Sequence, residues 1–170
     1  LREPVEVALA EVEMIRAMGV TLQTGVELGR NLTLSELQAK FRAIFLAAGL
    51  GSTPAMGIPG EEYVIDGLRY IEQSKLERSW LAIGQNVVAI GAGNTAIDCA
   101  TVAKRLGAER VTILYRRSER EMSAYDHEYE FIKKEGVEFR FLTQPVRILA
   151  ENGYVTGVEC VRMALGQPDA

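Results

Sequence analysis

Gly91-Ala92-Gly93-Asn94-Thr95-Ala96 follow directly on the apolar run Asn86-Val87-Val88-Ala89-Ile90, and Tyr115-Arg116-Arg117-Ser118 lie about one βαβ step further on. The first group has the form G-x-G-x-x-A. In this pattern Gly91 permits a tight turn, Gly93 lets a pyrophosphate approach the backbone, and Ala96 keeps the following helix close to its strand. The helix offers the phosphates its unpaired N–H groups and the positive end of its dipole. An NAD site usually carries Asp or Glu at the end of the second strand, about twenty residues past the glycines, to accept from the ribose 2′-OH. Here Arg116 and Arg117 stand in that place with Arg120 close behind. Guanidinium groups clamp a 2′-phosphate through bidentate, charge-assisted bonds, so the pair points to NADP(H).

Six positions match a glycine pattern easily by chance, and the elements on either side supply the confirmation. Residues 86–90 are β-branched and apolar, residues 95–106 have helical spacing through Ile97, Ala100, Thr101, Lys104 and Leu106, and Gly107 suits a helix stop. Arg110 to Tyr115 reads as a second apolar strand. Upstream, residues 4–18 form a helix with the apolar stripe Val5, Leu9, Val12, Ile15 and Met18, closed by Gly19. Val20 to Thr24 and Ala43 to Ala47 read as strands. Thr33-Leu34-Ser35-Glu36 has the spacing of a capping box. The glycine- and proline-rich passages Ala48 to Pro54 and Gly57 to Gly60 suit a crossover between domains. Asp66 is placed to cap a helix through Gly67 to Ser74, with residues 75–85 linking it to the fingerprint strand. Ser123 is placed to cap a helix to Lys134, followed by a strand from Val137 to Leu142. The tail alternates as a hairpin, Val146 to Leu149 and Tyr154 to Met163, around Asn152-Gly153.

The chain has 170 residues, 48% hydrophobic and 25% charged, with a formal net charge of −4. Without a basic excess it does not have the footprint of a nucleic-acid binder. No apolar run approaches a membrane span and the N-terminal segment is not a signal peptide, so the expected location is cytoplasmic. Cys99 and Cys160 are far apart in sequence, which argues for reduced core residues over a zinc site or redox pair. Asp126, His127 and Glu130 share helical spacing, but a solvated charged face explains them better than a metal site. Tyr129 and Lys133 match the Tyr-x-x-x-Lys pair of short-chain dehydrogenases. They follow the glycine turn too closely for that architecture. Neither catalytic residues nor metal ligands are assigned.

Several stretches together resemble the small (β) chain of NADPH-dependent glutamate synthase and its relatives, including the N-terminal flavoprotein part of dihydropyrimidine dehydrogenase. They are Glu13 to Arg16 with Gly19-Val20, Phe45 to Gly49, Gly57 to Glu61, Gly91 to Ala100, Tyr115 to Ser118, and Gly157 to Met163. The Gly-Ala-Gly-Asn-x-Ala-x-Asp and Tyr-Arg-Arg-Ser runs are the most specific. Two departures are visible. Ala48 replaces the commoner Thr or Ile of the family's crossover turn, and Ser123 stands where the family usually carries Pro, which is expected to loosen the loop's geometry without removing a ligand.

The resemblance implies an α/β fold, a Rossmann-like three-layer dinucleotide-binding domain with a parallel sheet and a β-meander, plus part of an interleaved FAD-domain segment. Residues 1–75 would be that partial FAD segment and crossover, and residues 76–170 the NADPH domain, incomplete at its C-terminus. The family's FAD fingerprint and the iron–sulfur segment preceding it have no counterpart here, so the chain resembles an internal fragment of a longer flavoprotein. The implied enzyme passes hydride from NADPH to FAD N5, then single electrons to iron–sulfur centres or a partner large subunit. In that scheme Gly91, Ala92, Gly93, Asn94, Thr95 and Ala96 serve the pyrophosphate, and Arg116 and Arg117 the 2′-phosphate. Asp98 would face away from the ligand and serve the fold. The cofactors carry the chemistry, and the isolated fragment is expected not to turn over. The alternative is a non-catalytic nucleotide-binding or subunit-docking module.

Overall fold

The computed structural model describes residues 4–49, 51, 53–76 and 83–166. The chain folds as two compact units, one of Arg2–Ser52 and the other essentially Thr53–Ala170.

The second unit is built on a parallel sheet in the order β1-β2-β3, with β1 at Asn86–Ile90, β2 at Arg110–Leu114 and β3 at Glu138–Arg140. Each crossover is a helix, α4 at Asn94–Arg105 and α5 at Asp126–Lys134, as parallel neighbours require. β1 and β2 pair residue for residue from Asn86↔Arg110 to Ile90↔Leu114. Sequence pattern explains the core. α4 turns Ile97, Ala100 and Ala103 inward, and they meet Val111 and Ile113 of β2, Ile132 of α5 and Val137. Alanine at two of the three α4 positions lets the helix lie close to the sheet. Gly107 ends the α4 segment at φ 103, its N–H bonded to Lys104 O at 3.1 Å.

Helix α3 at Gly67–Leu76 packs against α4. Asp66 caps it as expected, its Oδ1 accepting from the Arg69 N–H at 3.0 Å. Carboxyl-terminal to the sheet, β4 at Thr143–Glu151 and β5 at Tyr154–Arg162 form an antiparallel hairpin. Its two-residue turn is Asn152-Gly153, both with positive φ (52 and 82), the geometry of a tight hairpin turn. The passage before α3 is tied to this hairpin through the Ile148 N–H, which donates to Pro59 O at 2.9 Å. A 3-10 turn at Glu61–Tyr63 follows that passage. The Glu61 carboxylate accepts from the Met56 and Gly57 N–H groups at 2.5 and 2.7 Å, which holds its carboxyl below the usual range.

Two boundaries beside the nucleotide-binding edge differ from the sequence expectation. The helix expected from Ser123 starts at Asp126 after Tyr125, without a side-chain cap, because residues 122–125 run instead along the glycine turn. The strand expected over 137–142 closes at Arg140, where the ladder to β2 ends. Leu142 then turns to φ 50, with both backbone groups bonded, its N–H to Arg117 O at 3.0 Å and its carbonyl to the Met163 N–H at 2.7 Å. Residues 77–82 of the expected linker and the tail residues 167–170 lie outside the described residues.

The first unit carries α1 at Val5–Ala17 and α2 at Leu34–Lys40. The expected capping box is present: Thr33 Oγ1 accepts from the Glu36 N–H at 3.2 Å, and Glu36 Oε2 accepts from the Thr33 N–H at 2.8 Å. The strands expected at 20–24 and 43–47 are not strands. A β-strand exists only through its ladder partners, and neither segment has one among the described residues. Phe45 is accordingly 93% exposed. In the crossover passage after it, residues 50 and 52 lie outside the described residues.

Candidate nucleotide site

The sheet register sets the site. Because Ile90 pairs with Leu114, the glycine turn leaving β1 and the arginines leaving β2 emerge side by side at the carboxyl edge of the parallel sheet. This edge is where open α/β sheets bind ligands. The Gly91 N–H donates to Leu114 O at 2.9 Å and its φ is 114, a conformation that glycine adopts without strain. Ala92 is buried at 2% exposure. Gly93 is the N-cap of α4, in extended conformation, and lacks a side chain that could cap the helix. Its carbonyl accepts from the Ala96 and Ile97 N–H groups at 3.0 and 3.2 Å. Among the described residues the N–H groups of Asn94 and Thr95 find no acceptor, which leaves them available to an anion at the positive end of a twelve-residue helix.

Ala96 is buried, Asn94 half-buried and Thr95 exposed. Asn94 does not cap its own helix. Its Oδ1 accepts from the Tyr125 N–H at 3.1 Å, so the side chain ties the turn to the start of α5. Arg116 and Arg117 are exposed immediately beyond β2. Among the described residues neither guanidinium forms an ion pair, and the same holds for Arg120. Three exposed cations close in sequence, without ion pairs among the described residues, have the charge that suits a dianion.

A brace beneath these arginines was not among the sequence expectations. Tyr115 is fixed at both ends, its N–H bonded to Arg140 O at 3.0 Å and its carbonyl to the Thr143 N–H at 2.9 Å. Its hydroxyl donates to Glu121 O at 2.7 Å. The Ser118 N–H and hydroxyl both donate to Glu121 Oε2, at 3.0 and 3.1 Å. These bonds hold the Glu121 carboxyl below the usual range, with Arg117 adding to them. The loop then returns to the glycine turn through the Ala124 N–H, which donates to Ala92 O at 3.2 Å. The sequence signal for the brace is Ser118-Glu119-Arg120-Glu121, which has the spacing of a capping box.

Other candidates fall away as chemistry. Tyr129 is buried at 8% exposure, edge-on to Phe139 at 4.7 Å between centroids. Burial, and then the Glu119 carboxylate, push its phenol up. A dehydrogenase acid–base pair needs the opposite shift, and Lys133 instead sits over the ring at 4.5 Å. His127 is exposed and stacks on Tyr125. Among the described residues no group of acidic, cysteine or histidine side chains could hold a metal. Cys99 and Cys160 are both free. Burial pushes the Cys99 thiol up to about 11, which suits an inert core thiol. No described helix is long and apolar enough to cross a membrane.

A parallel three-stranded sheet whose first strand feeds a glycine turn and helix defines a Rossmann-type α/β fold. The model of the pyridine nucleotide-disulphide oxidoreductase family matches residues 4–167, and the chain belongs to that family. It is 43% identical to the NADPH-Fe(3+) oxidoreductase subunit beta of Geobacter sulfurreducens, an alignment covering 99% of this chain and 26% of that protein. It is 38% identical to the NADP(+)-dependent formate dehydrogenase subunit beta of Moorella thermoacetica, covering 99% and 24%. With the glutamate synthase [NADPH] small chain of Escherichia coli it shares 33% identity, covering 97% and 38%. The chain thus spans between about a quarter and two fifths of these curated relatives. Among solved structures, Mycobacterium tuberculosis FprA in complex with NADPH superposes with a TM-score of 0.61 at 17% identity, over 82% of this chain and 52% of that one. That likeness shows the fold.

Proposed function

We propose that this chain is the NADPH-docking part of a flavoprotein oxidoreductase of the glutamate synthase small-chain type. The observation that carries the reading is that the uncapped start of α4 at Gly93 follows β1, while Arg116 and Arg117, without an ion pair among the described residues, follow the end of the adjacent strand β2. Gly91 to Ala96 receive the pyrophosphate, chiefly through backbone N–H groups, and Arg116 and Arg117 clamp the 2′-phosphate. The brace through Tyr115, Ser118 and Glu121 holds the arginines at that edge, and Asn94 fixes the turn to the opposite end of the same loop.

Residues 1–75 then form a partial FAD-domain segment and crossover, and residues 76–170 the NADPH domain. Gly49, at φ 74 with no atom of the described residues beyond its chain neighbours within 4 Å of where a side chain would begin, leaves the crossover backbone open to a flavin nucleotide. NADPH and FAD, when bound, supply the hydride chemistry, and this chain binds and orients the donor. Onward transfer goes to iron–sulfur centres or a partner subunit; the 'subunit beta' names of two relatives support the partner subunit. The residues of the chain itself carry no acid–base step.

Replacing Arg116 and Arg117 with Ala tests this directly. Two charge-assisted contacts to a phosphate correspond to about 100-fold in affinity, so the dissociation constant for NADPH should rise by about that factor while that for NADH stays within about 3-fold. Equal losses for both nucleotides would refute the 2′-phosphate assignment. A module that binds without turnover is separated by adding NADPH to the full-length protein: bleaching of the flavin absorbance supports the oxidoreductase, and an unchanged spectrum supports the binding module.

A further inference from the structure

Gly93 carries no Cβ, and the space that a Cβ would fill lies at the turn assigned above to the pyrophosphate. Among the described residues, chain neighbours aside, the Oγ of Ser123 is the atom that approaches that space within 4 Å, at 3.4 Å. The hydroxyl is exposed and makes no hydrogen bond among the described residues. Its backbone is not free to drift. The next two N–H groups, of Ala124 and Tyr125, donate to Ala92 O and Asn94 Oδ1 at 3.2 and 3.1 Å, on either side of Gly93. A hydroxyl without a hydrogen-bond partner among the described residues is thus held beside Gly93, on the turn assigned to the pyrophosphate.

We propose that Ser123 is a further nucleotide-binding residue, its hydroxyl donating to a pyrophosphate oxygen seated over Gly93. The proposal rests on the nucleotide reading of the site. It assigns this hydroxyl to the part of the ligand that NADPH and NADH share, in contrast to Arg116 and Arg117, which face the part that differs. The chain would then add a side-chain donor from the loop after β2 to the backbone donors at the start of α4. A hydrogen bond to a charged acceptor corresponds to about 10-fold in affinity.

The test compares Ser123→Ala and Ser123→Thr in the full-length protein, titrated with NADPH, NADH and adenosine 2′-monophosphate, which has the 2′-phosphate but no pyrophosphate. Ser123→Ala should weaken NADPH and NADH by the same factor, about 10-fold, and leave adenosine 2′-monophosphate unchanged. Ser123→Thr, which keeps the hydroxyl, should restore most of the loss. Unchanged NADPH affinity in Ser123→Ala overturns the proposal, as does an equal loss for adenosine 2′-monophosphate, which would mark a collapsed loop. Failure of the parent protein to bind any of the three overturns the nucleotide reading itself, an outcome distinct from failure of the serine alone.

Discussion

Residues 110–114 and residues 43–47 are both short apolar runs, yet the first is buried in a sheet and the second lies open. Val111 and Ile113 are fully buried, because β2 has a parallel neighbour on each side and α4 across its face. Phe45 and Leu46 are 93% and 60% exposed. Throughout the Arg2–Ser52 unit no described residue is buried. The difference is one of partnership and not of composition: apolar side chains are buried only where neighbouring strands and helices exist to cover them. The site follows the same rule, because it is assembled where two adjacent strands end together.

This contrast makes quantitative predictions. The largest is in the core: Ile113→Ala should cost about 3 kcal/mol, the usual loss for truncating a fully buried aliphatic side chain, read as a lower urea midpoint. Phe45→Ala in the same chain should move stability by no more than about 0.5 kcal/mol. If Phe45→Ala proved as damaging as Ile113→Ala, the first unit would be packed in a way that its exposure denies.

A smaller effect separates the two capping boxes. Glu36 and Glu121 are both held below the usual carboxylate range, Glu36 by Thr33 and Glu121 by Ser118. A carboxyl with a depressed folded pKa contributes above its unfolded value and loses that contribution as pH falls through the folded value. Only Glu121 braces the arginine turn. Glu121→Gln should therefore weaken NADPH a few-fold at neutral pH, by partly losing the charge-assisted bonds to Ser118, whereas acidification of the parent adds protonation of the 2′-phosphate to that loss. Glu36→Gln should leave NADPH affinity unchanged. Isothermal titration of both variants against pH would show it, and a Glu36 effect on binding would break the contrast.

Local chemistry is legible in the sequence wherever it determines structure alone. The glycine turn, the Thr33 box, the Asp66 cap and the Asn152-Gly153 hairpin are each set by one or two residues acting on neighbouring backbone, and each is found where the sequence places it. The strands expected at 20–24 and 43–47 do not form, because pairing is a property of other segments. At the site, the placement of Arg116 and Arg117 beside Gly91 follows from the βαβ spacing. The return of residues 122–125 along the glycine turn does not, since it depends on Ala92 O and Asn94 Oδ1 meeting N–H groups about thirty residues away. That same return moves the start of α5 from Ser123 to Asp126, and leaves the Ser123 hydroxyl beside Gly93.

Site-resolved amide hydrogen exchange with added NADPH or NADH tests the central claim most directly. Both nucleotides should slow exchange at Gly93, Asn94 and Thr95, and NADPH alone should add protection over Arg116 to Ser118. Protection absent from both stretches, or appearing at 116–118 equally with NADH, would contradict the account.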